Sequence, residues 1–197
     1  MENYYKTLPE GYREVKVVDA KKGSTSALFT VFSFVLAALA ALPILLNCDY
    51  SEISLSFKDN RTLIAYFIMF GGLLAYIVLH ELTHGIAYKA LTHQKLTYGF
   101  TLTVAFCGVP YIYTSRKTAL IALAAPFVTF SVILIPVVIW LHGVSMLYYL
   151  VAGIIFAIHF GGCVGDLYMM YLLLFKYKDP RTLMNDTGPK QTIYIPE

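Results

Sequence analysis

From residue 27 onward, long apolar stretches alternate with short polar ones. The stretches 27–46, 63–91, 119–141 and 144–175 are apolar almost throughout. A helix needs about 20 such residues to cross a bilayer, so each predicts a membrane span. Pro126 and Pro136 lie inside the third stretch and predict kinks there. Gly153, Gly161, Gly162 and Gly165 interrupt the fourth. Between the second and third spans the pattern changes. Residues 96–107 are rich in β-branched and aromatic side chains, Gly108-Val109-Pro110 signals a turn, and Tyr111 to Thr114 resumes the strand pattern. The expected fold is an all-α membrane protein of about four transmembrane helices, with a short β-hairpin or re-entrant segment between helices 2 and 3. Residues 1–26 form a polar N-terminal segment, residues 27–178 a single membrane domain, and residues 179–197 a tail expected to be irregular and mobile.

Charge adds an orientation. Of the 15 Lys and Arg residues, only Lys58 and Arg61 lie in the loop after the first span. The other 13 fall in the N-terminal segment, the loop after the second span, and the tail. Basic residues stay on the cytoplasmic side, so both termini are expected there, in a multi-pass protein of the plasma membrane. Composition agrees: 58% of residues are hydrophobic and 14% charged, against about 25% charged in soluble domains. A net charge of +3 without a basic block is too small to argue for a nucleic-acid partner, and none is expected. Cys48, Cys107 and Cys163 are scattered, which indicates neither a disulfide framework nor a thiolate zinc site.

One stretch resists the reading as plain membrane filler. IVLHELTHGIAYKAL, ending the second span, places His80, Glu81 and His84 in an H-E-x-x-H. Residues four apart share a helix face, so both imidazoles can reach one ion. Zinc suits neutral imidazole, and Glu81 is then placed to act as general base on a metal-bound water. Chance alone gives this pattern in a chain of this composition with a probability of about 0.004. An ionisable group at mid-bilayer costs ~2.5 kcal/mol or more, so three polar groups in one span call for a compensating partner. The competing reading is a solvated or helix-paired polar patch near the cytoplasmic end.

Zinc in a hydrolase usually has three protein ligands. The fourth span offers AIHFGGCVGDLYMMY, with His159 and Asp166. At 1.5 Å per residue, Asp166 lies about 15 Å from Lys176, and His80 and His84 about 13 and 8 Å from Lys89. These depths are similar, so Asp166 is the expected third ligand, its alternative being a helix-packing hydrogen bond. His159 is about 10 Å further along a regular helix. It is the alternative ligand, a residue supporting the ligands or the substrate pocket, or a polar contact between helices. The segment after H-E-x-x-H, with Thr101, Thr103 and Ala105, is a candidate for holding an extended substrate by strand addition. Its alternative is a hairpin that only covers a cavity.

Taken together, these residues resemble a known pattern. An H-E-L-x-H-G in one apolar span, followed about eighty residues later by G-D in another, is similar to membrane zincins of the site-2 protease type. The opening LPEGYREVKVVD, the HELTHG box, ALAAPF in the third span and GCVGDLYMM in the fourth resemble a family of small bacterial membrane zincin peptidases. The stretch Gly162-Cys163-Val164-Gly165 departs from the asparagine-proline that site-2 proteases carry in that region. The resemblance implies a zinc-dependent intramembrane or membrane-associated peptidase. Its substrate would be a membrane-embedded or membrane-adjacent polypeptide. The alternative is a non-proteolytic metal-binding protein, either for transport or sensing or as an inactive zincin serving as chaperone or scaffold. Transport predicts carboxylates along a path across the bilayer, and the first and third spans contain none.

Overall fold

The computed structural model describes residues 2–100 and 105–197. Among the described residues, four helical stretches are long and apolar enough to cross a membrane, Gly23–Leu46, Asn60–Thr92, Arg116–His142 and Met146–Lys176. They are compatible with a multi-pass membrane protein. The first three are the single helices α1 (Gly23–Leu46), α2 (Asn60–Thr92) and α3 (Arg116–His142). The fourth is broken. Helix α4 (Met146–Gly162) ends at Cys163, and α5 (Val164–Tyr171) follows and runs into a π-helical turn over Leu172–Lys176. The strands are β1 (Tyr4–Tyr5), β2 (Tyr12–Asp19), β3 (Thr97–Phe100), β4 (Ala105–Gly108), β5 (Tyr113–Ser115), β6 (Leu183–Asp186) and β7 (Lys190–Pro196).

The all-α expectation is therefore corrected, although helices predominate. Five strands form an antiparallel sheet in the order β1-β5-β6-β7-β2. The tail expected to be irregular supplies two of them, turning at Gly188, whose φ of +95° suits glycine. Leu183, Met184 and Ile193 of these strands are buried. The segment between the second and third spans contains a hairpin, but not across the turn signal at Gly108-Val109-Pro110: residues 96–107 are not one strand, and β3 pairs with β4 within that stretch, with Tyr98 opposite Cys107 and Gly99 opposite Phe106. Strand β5 leaves that hairpin and pairs with β1 and β6.

By contacts the chain falls into two compact units. The first comprises residues 1–30, 79–126 and 165–197. It carries both sheets, and its core joins Val18 of β2, Leu123 of α3, Met169 and Leu173, and Met184 and Ile193 of β6 and β7. The second comprises residues 31–78 and 127–164 and is built from helices. Within it Ile44, Val138, Tyr149 and Ala152 share a core. A Cβ at Gly161 would stand 2.8 Å from the Ser33 carbonyl oxygen, so glycine there permits the close approach of α4 to α1.

Candidate metal centre

The C-terminal half of α2 carries the H-E-x-x-H. The helix is capped at its start by Asp59, whose carboxylate accepts from the Arg61 N–H. It ends at His93, in the left-handed region with φ 55°, while Lys89 Nζ donates to the His93 and Gln94 carbonyls. Between these ends His80 and His84 are one turn apart, both buried, with ring centroids 5.0 Å from each other.

The third group arrives through the break in the fourth span. Cys163 has φ −81° and ψ 1°, which ends α4. Asp166 then falls in the first turn of α5, where a carboxylate suits the helix dipole. Its Oδ2 lies 3.3 Å from His80 Nε2 and 3.3 Å from His84 Nε2. Two ligands bound tetrahedrally at zinc distances stand about 3.3 Å apart, so the spacing fits that ion. Among the described residues these three form the one cluster of metal-type donors lying within 4.8 Å of one another. The carboxylate and the two imidazoles suit zinc, and such a donor set also binds iron, cobalt or manganese.

The tautomer of His84 is fixed by a feature of α3. His84 Nδ1–H donates to the Ala122 carbonyl at 2.9 Å. In a regular helix that carbonyl accepts from the N–H of residue 126. Residue 126 is a proline and has no N–H. Pro126 thus frees the oxygen that orients His84, and the Nε2 lone pair is left for a metal. The ALAAPF stretch, expected to supply only a kink, also supplies the acceptor that orients a candidate ligand.

Glu81 faces the β3–β4 hairpin. The Cys107 backbone N–H donates to its carboxylate. The Val109 N–H donates to the Asp186 carbonyl at 2.8 Å. Both N–H groups therefore point away from β3, and alternation makes the same side of β4 the outward one for Ala105. Thr101 and Thr103, expected in this segment, lie outside the described residues. Tyr98 reaches across from β3. Its hydroxyl is hydrogen-bonded to the Cys107 thiol and rests on Gly85, where any Cβ would collide with it. Burial, Cys107 and Glu81 hold the Tyr98 phenol above its ordinary pKa. Burial, with Glu81 and Asp186 nearby, pushes the Cys107 thiol up to about 12. Both groups stay protonated at neutral pH.

A further polar contact anchors the same helix. The Tyr88 hydroxyl donates to the Asp186 carboxylate at 2.7 Å, which also accepts from the Gly188 N–H and from Gln191 Nε2. Asp186 is buried, and burial pushes its pKa up to about 6 against those hydrogen bonds.

His159 is not among the three clustered donors. It is fully buried in the helical unit. The Tyr76 hydroxyl lies 3.1 Å from its Nδ1 and the Ser131 hydroxyl 3.1 Å from its Nε2. Phe127, Phe130 and Phe160 surround the ring. Sequence reasoning missed Tyr98, Cys107, Ala122 and Asp186. The glycine after His84 and the proline four residues after Ala122 were the available signals.

Residues 73–180 match the model of a protein family described as "Putative zincin peptidase". That stretch runs from α2 through α5 and contains His80, Glu81, His84, Pro126 and Asp166, while β1, β2, β6 and β7 lie outside it. No curated protein and no solved structure matches the chain.

Proposed function

We propose, because the chain belongs to the "putative zincin peptidase" family, that it is a zinc-dependent peptidase acting in or at the membrane. The observation that carries this reading is the convergence of Asp166 Oδ2 on His80 Nε2 and His84 Nε2, 3.3 Å from each. His80, His84 and Asp166 would hold the ion. Zinc bound there supplies a water acidic enough to ionise near neutral pH, and a Lewis acid for the scissile carbonyl.

Glu81 takes the proton from the attacking water and passes it to the leaving amine. The Cys107 N–H orients its carboxylate meanwhile. Ala122 fixes His84 through Nδ1. The substrate is a membrane-embedded or membrane-adjacent polypeptide, unwound locally so that its peptide bond is accessible. It adds as a strand along the outward side of β4 at Ala105. The basic residues support a topology with both termini in the cytoplasm.

Zinc content of the detergent-purified protein tests the centre, and cleavage of a proteome-derived peptide library tests the chemistry. The expected result is about one zinc per chain and cleavage abolished by Glu81→Gln. Zinc-loaded wild type that cleaves no peptide faster than Glu81→Gln overturns the peptidase reading. Reporter fusions at each terminus check the topology, and an outward-facing reporter overturns it.

A further inference from the structure

The proposed chemistry leaves one charge without a second partner. When water adds to a peptide carbonyl, the carbonyl π pair moves onto oxygen and an oxyanion forms. Such sites usually carry a hydrogen-bond donor aimed at where that charge develops. Neither the ligands nor Glu81 is such a donor.

Beside Glu81 stands one hydroxyl with suitable properties. The Tyr98 oxygen rests on Gly85, four residues from Glu81 and next to the ligand His84, and its phenol interacts electrostatically with Glu81. Tyr98 sits opposite Cys107 in the β3–β4 pair, and the Cys107 N–H holds Glu81. Hydroxyl, base and the outward side of β4 are thus one continuous patch. Tyr98 remains 48% exposed, so the patch is open to a substrate. Its resting acceptor is sulfur, a weak one. A strong donor left on a weak acceptor is easily captured by an oxyanion.

We propose that the Tyr98 hydroxyl donates a hydrogen bond to the oxyanion of the scissile carbonyl. Tyr98 keeps its proton throughout. The water oxygen bonds to the carbonyl carbon, Glu81 takes the water proton, and the oxyanion collapses. The C–N bond breaks, and the amine leaves with the proton from Glu81. The inference rests on the peptidase reading above.

Tyr98→Phe tests it, because the ring stays on Gly85 and only the hydroxyl goes. Zinc-loaded wild type and variant are compared on the peptide library, then on one cleaved peptide and its phosphinic isostere, a transition-state analogue. The expected result is a fall of about 100-fold in kcat, with KM, zinc stoichiometry and thermal midpoint unchanged, and a similar loss of affinity for the phosphinic peptide. Activity and phosphinic-peptide affinity within about threefold of wild type overturn the role of Tyr98 and leave the peptidase reading standing. A wild type that cleaves nothing overturns both. Should Tyr98→Phe lose zinc or thermal stability, 3-fluorotyrosine at position 98 decides. It keeps ring and hydroxyl but makes the phenol more acidic. The alkaline limb of the kcat profile then shifts to lower pH, and an unshifted limb overturns the proposal.

Discussion

Asp166 Oδ2 stands 3.3 Å from His84 Nε2, although the two residues belong to different spans and one of those spans is broken to allow it. In the proposed centre Asp166 is a ligand rather than a packing residue. Asp166→Ala is expected to cut bound zinc to below a tenth of wild type by elemental mass spectrometry, as is His84→Ala. Glu81→Gln keeps the metal. Full zinc occupancy in Asp166→Ala would assign the third ligand elsewhere.

In the proposed centre Pro126 would act on the metal through the Ala122 carbonyl and His84. Pro126→Ala restores an N–H that competes with His84 for the Ala122 carbonyl. Loss of an outer hydrogen bond to a ligand typically weakens metal affinity about 10–100-fold. Zinc competition with a chelator reads this directly. An unchanged affinity would mean the carbonyl serves both donors equally well.

Gly85 is spatially required. Gly85→Ala puts a methyl group into the Tyr98 hydroxyl. Overpacking of this kind costs about 1–3 kcal/mol, so the thermal midpoint should fall. Combining Gly85→Ala with Tyr98→Phe should recover part of that loss, since the phenol oxygen is the atom struck. Equal midpoints for the single and double variants would place the clash elsewhere.

Asp186 gives the stability a pH dependence of known sign. Its folded pKa is raised to about 6, above the value of an unfolded carboxyl, ~3.9. The folded form therefore binds its proton first as pH falls. Above about pH 6 the buried charge costs stability in full. Between about 6 and 4 that cost is progressively removed. Asp186→Asn should abolish this part of the slope, measured as the difference between wild-type and variant midpoints across pH 4–7. A constant difference over that range would contradict the raised pKa.

His159 is expected to matter for the fold and not for the ion. His159→Ala strips partners from Tyr76 and Ser131 and opens a cavity. A loss of about 2–4 kcal/mol is expected from such a change, with zinc content retained. Zinc lost while the midpoint holds would return His159 to the ligand set.

The spans and the reactive box were readable because both are local patterns. A run of apolar residues declares itself within one window, and so does His80 with Glu81 and His84. Asp166 was readable one step further, by counting its depth from Lys176. The five-stranded sheet was not. The pairing of Tyr12 with Pro196 joins segments whose own patterns are short and polar. Each alone resembles a loose end, and only the partner makes it a strand. Tyr98 was hidden for a related reason. Its role depends on crossing β4 to Gly85, which no spacing in the chain announces. Pro126 was seen as a kink, but the donor for the carbonyl it frees lies on another helix.

The pairing of β2 with β7 also sets an order in time. Synthesis makes Tyr12 to Asp19 first and their partners, Lys190 to Pro196, about 170 residues later. Throughout that interval the four long apolar helices are made while β2 lacks the partner strand it has in the finished fold. Val18 and Ile193 then close the same core that holds Leu123 and Met169. The unit bearing His80, His84 and Asp166 is therefore completed late, after the spans have been made. On the peptidase reading, the enzyme stays unfinished while its own nascent chain is extended and vulnerable.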